Sequence, residues 1–154
     1  MFTASELFDL AVQVEVNGER FYRHAMGRVK GDSLKNLLGW LADQELLHQR
    51  AFTEIKEQIA AGTKAAPPCS SLTEQALRGA MGLHAFSLDE LAIDSIQDEK
   101  EIMRAALLFE EDTITFFEFI ASFVSDPRAF SSLEKIRIEE FHHKQLLMEK
   151  ISEI

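Results

Sequence analysis

The sequence predicts an all-α protein, a four-helix bundle made of two helical hairpins joined by a long crossover. Three observations carry that expectation. Prolines occur only at Pro67-Pro68 and Pro127, and glycines number seven, so long stretches rich in Leu, Glu, Ala, Gln and Lys run without a helix breaker. Apolar residues recur every three or four positions, as in Leu34, Leu37, Leu38, Leu41, Phe52, Ile55 and Ile59, which makes one helical stripe. The chain also matches itself at an offset of 95 residues, aligning two hairpins without a gap.

Each element has its own signals. The first helix is expected over about 4–29, opened by the capping-box spacing of Thr3 and Glu6. The second is expected over about 33–61, with Gly62 at the C-terminal cap position. Residues 62–97 form the crossover: a Pro/Ser/Ala loop from Thr63 to Ser71 around Cys69, then one or two shorter helical pieces, with a second capping spacing at Ser87 and Glu90. The third helix is expected over about 98–125, and the fourth over about 127–152, where Asp126 caps and Pro127 takes the first helical position. Two short-linked pairs joined by one crossover describe ferritin-like connectivity in a single domain spanning 1–154.

Composition narrows the function classes. Lys plus Arg total 16 against 26 Asp plus Glu, a formal charge of −10 with no basic patch, which disfavours a nucleic-acid partner. No stretch approaches the ~18 apolar residues of a membrane span, so no membrane association is expected. The first ten residues include Glu6 and Asp9 and lack the basic-then-apolar pattern of a secretory signal. The single cysteine, Cys69, fits a reducing compartment, and a cytoplasmic location is expected.

The repeat carries the chemistry. At the offset of 95, Ala11 aligns with Ala106, Glu15 with Glu110, Phe21-Tyr22 with Phe116-Phe117, Glu45 with Glu140, His48 with His143 and Phe52 with Leu147. Each half thus has a Glu and, thirty residues later, a Glu-x-x-His. Residues three and four apart share a helix face, so Glu45 and His48 lie on the stripe of Leu38, Leu41 and Phe52. Glu140 and His143 continue the row of Leu133, Ile136, Leu147 and Ile151. Glu15 falls between Phe8, Ala11 and Tyr22, and Glu110 between Met103, Ala106, Ile114 and Phe117. Four carboxylates and two imidazoles therefore interrupt four core stripes, where each buried carboxylate must be protonated, paired or ligated. No Lys or Arg occupies a matching stripe position. Two divalent cations would neutralise the four carboxylates, leaving −6 of the formal −10 for the rest of the chain. Oxygen and imidazole donors suit iron or manganese, and also zinc, while the lack of thiolates disfavours a structural zinc site. One Glu from each of two helices and a Glu-x-x-His from each of the others is the ligand set of di-iron and di-manganese carboxylate bundles.

Neighbouring polar residues need sorting. Glu139 with His142 has the same spacing as Glu140 with His143 but lies about 100° around the helix from the apolar row and breaks the repeat by one residue, so Glu140 and His143 are preferred. Glu19 is assigned to solvent, His24 and His84 to surface or loop, and Phe109, Phe116, Phe117 and Phe123 to the core. Tyr22, whose repeat counterpart is Phe117, is the candidate catalytic residue: its phenol either donates to a ligand carboxylate or sits at the rim of the core.

The run Glu15-Val16-Asn17-Gly18-Glu19-Arg20-Phe21-Tyr22, then Ala42 through His48, resembles the rubrerythrin family of the ferritin-like superfamily. The stretch from Glu110 through Phe117, then Glu139 through His143, resembles the same pattern again. The resemblance covers everything except the crossover. It implies two iron ions held by Glu15, Glu45, His48, Glu110, Glu140 and His143, and oxidation of the diferrous centre by hydrogen peroxide or dioxygen. It also implies a homodimer or larger homo-oligomer, with a non-catalytic iron-binding or storage bundle as the alternative. Larger rubrerythrins carry a rubredoxin domain with paired Cys-x-x-Cys motifs. With Cys69 alone, electrons are expected from a separate donor protein. Thr113 stands where those proteins have an additional carboxylate, so the resemblance is strongest to small rubrerythrin-like proteins that consist of the bundle.

Overall fold

A computed structural model of the chain describes residues 3–62, 96 and 98–154. Four α-helices make up nearly all of it: α1 (Ala4–Met26), α2 (Asp32–Gly62), α3 (Glu99–Ala121) and α4 (Pro127–Glu153). There is no strand among the described residues. Cys69, His84, the Ser87–Glu90 spacing and the short helical pieces expected within 63–95 lie outside the described residues.

Local chemistry sets the helix starts. Thr3 and Glu6 close a reciprocal capping box, with Thr3 Oγ1 accepting from the Glu6 amide at 3.2 Å and Glu6 Oε2 from the Thr3 amide at 3.1 Å. Asp98 accepts from the Lys100 amide at 3.1 Å, and Asp126 accepts from the amides of Arg128 and Ala129, both at 2.9 Å, with Pro127 behind it.

Two helix ends differ from expectation. α1 stops at Met26 rather than near 29, because the amides of Gly27 and Arg28 turn back onto the carbonyls of His24 and Ala25 at 3.1 and 2.9 Å. α3 stops at Ala121 rather than near 125. There the Ser122 hydroxyl donates to the Phe119 carbonyl at 2.7 Å, and the amides of Ser122, Phe123 and Val124 each reach back three residues. The next carbonyls are taken by the tighter turn, and the chain leaves the helix.

α1 packs most extensively on α2 and α3 on α4, as the five-residue connections 27–31 and 122–126 require. The hairpins then meet α1 to α3 and α2 to α4. Both of these pairings are antiparallel. The end of α1 lies beside the start of α3, where Arg28 donates to the Ile96 carbonyl and the Lys30 amide to Glu99, both at 2.8 Å. Along the α2–α4 pairing, Trp40 meets His143 while His48 meets Glu139 and Glu140. The core is continuous from Leu7 and Phe8, through Leu38, Leu41 and Phe52, to Phe109, Phe116, Phe117 and Leu147, all of them fully buried. Phe123 packs on it from the edge, against Phe119. Among the described residues no helix is long and apolar enough to cross a membrane.

Candidate metal centre

At mid-height the apolar core is interrupted. Glu15, Glu45, Glu110 and Glu140 are fully buried, and His48 and His143 are 2% exposed. All six residues singled out by the repeat come together there, one helix contributing Glu15, one Glu110, and two contributing a Glu and a His each. They form two overlapping groups, Glu15–Glu45–His48–Glu140 and Glu45–Glu110–Glu140–His143, in each of which one donor atom per residue lies within 4.8 Å of the others. Glu45 and Glu140 belong to both groups. Glu140 sits between the imidazoles: its Oε1 is 2.8 Å from His48 Nδ1 and its Oε2 is 3.0 Å from His143 Nδ1. His48 Nδ1 also lies 3.4 Å from Glu15, and His143 Nδ1 lies 3.8 Å from Glu110. The two rings stack at 5.7 Å and 18°.

The exposure pattern separates the two registers on α4. Glu140 and His143 point inward, whereas His142 is exposed. Glu139, however, is not simply a solvent residue: its Oε2 lies 2.7 Å from His48 Nε2. Glu19 stays outside the cluster, half-buried and bonded to Arg23 at 2.9 Å and Gln49 at 3.0 Å, and His24 is exposed. Tyr22 is fully buried, which corrects the rim alternative, and its hydroxyl donates to Glu110 Oε1 at 2.6 Å, across the bundle rather than along its own helix.

Gly18 is a packing requirement of the site. A Cβ there would stand 2.7 Å from Phe109 Cε1 and 3.1 Å from Glu45 Oε2. The helix accepts about 1 kcal/mol of propensity cost relative to Ala so that Phe109 can close over the carboxylates. Thr113, its repeat counterpart, is fully buried, and its hydroxyl has no hydrogen-bond partner among the described residues.

Burial and mutual repulsion divide the protons unevenly. Burial, then the charge of Glu140, holds the carboxyl of Glu15 well above the usual carboxylate range. Glu45 is raised by burial and by the charges of Glu140 and Glu15, and Glu110 by burial and by the charges of Glu140 and Glu45. Glu140 goes the other way. Burial opposes its charge, but hydrogen bonds from Glu110, His143 and His48 outweigh it and hold the group well below the usual range. His48 is its counter-ion: burial again opposes the charge, and Glu140, Glu45 and Glu139 overcome it and raise the imidazole to about 10. Burial and the nearby Glu110 push the Tyr22 phenol up as well, so it serves as a hydrogen-bond donor.

Protonation and one ion pair thus make the cluster tolerable with the protein's own groups, yet they do not complete it. No N–H or hydroxyl group among the described residues donates to either carboxylate oxygen of Glu15, to either of Glu45 or to Oε2 of Glu110. Such atoms are uncommon in folded proteins, and a bound ion is one of the groups that satisfy them. Buried oxygens and imidazole nitrogens converging from four helices have the donor chemistry of a site for two divalent ions.

Two further residues touch the site without having been singled out for it. Trp40 lies edge-on to His143 at 5.3 Å. Glu139 lines a groove of about 310 Å³ between α2 and α4, together with Gln44, Leu47, His48 and Lys135. The available signal was where the repeat fails: Trp40 aligns with Lys135, and Gln44 with Glu139.

Comparison with known proteins agrees with this architecture. No curated protein matches the chain. A Thermotoga maritima protein described as a ferritin-like diiron-carboxylate protein shares the fold, with a TM-score of 0.74 at 23% identity over 99% of this chain and 96% of that one. The rubrerythrin family profile matches residues 6–151, nearly the whole length. A repeated Glu and Glu-x-x-His pattern, four helices that bury it, and this match make the chain a member of the rubrerythrin family.

Proposed function

We propose that the chain binds two metal ions, iron in the native protein, through Glu15, Glu45, His48, Glu110, Glu140 and His143, and that it reduces hydrogen peroxide or dioxygen. The observation that carries this reading is the pair of overlapping Glu/His groups sharing Glu45 and Glu140, lined by carboxylate oxygens to which no N–H or hydroxyl group donates. Glu45 and Glu140, common to both groups, would be shared by the two ions; Glu15 with His48 would complete one position and Glu110 with His143 the other. A di-iron centre supplies two electrons and a two-metal clamp for the oxygens of a breaking O–O bond.

The chain's own residues supply the rest. Tyr22 fixes Glu110 by its 2.6 Å hydrogen bond and keeps one of its oxygens free for metal. Phe109 packs beside Glu45 at Gly18, and Phe8, Phe52 and Phe117 are fully buried in the same continuous apolar core, which excludes bulk water. Glu15, Glu45 and Glu110 give up protons when metal binds, because a ligating carboxylate must be ionised. Within these residues there is one cysteine, too few for a rubredoxin-type iron site, so electrons reach the centre from a donor outside them.

The test is anaerobic loading with ferrous iron, then addition of peroxide with and without a reductant. Two irons bound per chain and peroxide consumed over many turnovers are expected. Two irons bound with no consumption of peroxide or dioxygen would leave a bundle that holds iron without turnover.

A further inference from the structure

The imidazole of His48 has two faces, and the metal reading above uses only one. Nδ1 points inward, toward Glu140 and Glu15. Nε2 points outward to the groove between α2 and α4, where Glu139 Oε2 meets it at 2.7 Å. A carboxylate can only accept a hydrogen bond, so Nε2 must carry the proton in this contact. Nδ1, 2.8 Å from Glu140, carries a proton as well in the metal-free protein; when a metal ion displaces that proton, the bond to Glu139 keeps the Nε2 proton in place and turns the Nδ1 lone pair toward Glu15, Glu45 and Glu140. A metal-ligating histidine typically has its other nitrogen held in this way by a carboxylate or carbonyl.

We propose that Glu139 is a positioning residue for the metal position built on Glu15 and His48. It reaches across from α4, fixes the ring orientation and tautomer of His48, and thereby ties the two hairpins together at the ligand. The inference rests on the metal assignment above and adds to it a role for a residue outside the ligand set. It also makes the two positions unequal. The repeat places Gln44, not a carboxylate, at the position equivalent to Glu139, and His143 has the Trp40 indole packed near-perpendicular to it instead. Glu139 side-chain atoms are 38% exposed, so its removal opens no hole in the core.

Anaerobic titration with cobalt(II), followed by its visible absorption bands, tests the assignment in the intact chain. The unaltered protein is expected to take up two cobalt ions. Glu139→Leu should weaken one of the two binding steps by roughly 10–100-fold and shift only the bands of that step. Glu139→Gln, whose amide oxygen can still accept from Nε2, should recover most of the lost affinity. Unchanged binding in Glu139→Leu overturns the role of Glu139 and leaves the metal site standing. So does an equal weakening of both steps that Glu139→Gln fails to rescue and that comes with a lower melting temperature in the absence of metal. Failure of the unaltered chain to bind cobalt overturns the metal reading itself.

Discussion

In the first hairpin the outer nitrogen of His48 meets a carboxylate at the edge of a groove; in the second, His143 packs near-perpendicular to the Trp40 indole. The six inward-facing polar residues match between the halves, but the residues around them do not. Tyr22 answers to Phe117, Gly18 to Thr113, Trp40 to Lys135 and Gln44 to Glu139. The repeat thus supplies a near-symmetric set of donors, and its departures give the two imidazoles different outer neighbours, a carboxylate for His48 and an indole for His143. A centre of this kind can hold two ions in similar shells and still treat them differently.

The largest expected effect removes a residue common to both halves. Glu140→Ala takes away a donor from both groups and the counter-ion of His48, and should reduce bound metal from two ions per chain to none. Glu15→Ala touches only one group and should leave one ion. Elemental analysis of the two variants checks the contrast; equal loss in both would mean that the two positions do not exist as separate sites.

Metal loading and pH come next. Metal that binds only the folded chain adds about 2.7 kcal/mol per site at 100 times its dissociation constant. The raised carboxyls of Glu15, Glu45 and Glu110 hold protons in the folded state that the unfolded chain releases above about 4.3. Stability without metal therefore falls as pH rises from there. His48 adds to the trend, since its stabilisation is complete below its ordinary value near 6.5 and is lost as pH climbs toward about 10. Glu140, held low, contributes throughout this range and loses its effect only in strong acid. Metal competes with the same protons, so binding strengthens with pH. Melting curves at pH 5.5 and 7.5 should show the gap between cobalt-loaded and chelated protein widening at the higher pH. A constant gap would mean that the buried carboxyls are not the ligands.

The smallest effect sharpens the comparison at Gly18 and Thr113. Gly18→Ala gains helix propensity but drives a methyl to within 2.7 Å of the fully buried Phe109 ring, and should cost about 1–3 kcal/mol net in thermal or denaturant unfolding. No loss of stability would show that Phe109 can retreat, and that its closure over Glu45 is not a requirement of the fold.

Much of this was legible in the amino-acid sequence because it is local. The starts of α1 and α4 follow from Thr3 and Asp126, whose side chains bond amides two or three residues away. The burial of Glu15, Glu45, His48, Glu110, Glu140 and His143 follows from a 3.6-residue period that places them in line with Leu and Phe. The ends of α1 and α3 were less legible, since Gly27 and Ser122 redirect carbonyls by turn geometry that periodicity does not register.

Other features belong to the tertiary structure alone. That Tyr22 serves Glu110 instead of its own helix neighbour Glu15 depends on how α1 is rotated against α3. The sharing of Glu45 and Glu140, the ion pair of Glu140 with His48, and the reach of Glu139 from α4 to the outer face of His48 depend on the antiparallel alignment of α2 and α4. The physical reason is one of range. A helix imposes its period on residues three and four apart, so sequence alone can say which side chains must leave solvent. Which buried group then meets which is a matter of ångströms between different helices, and only packing sets that.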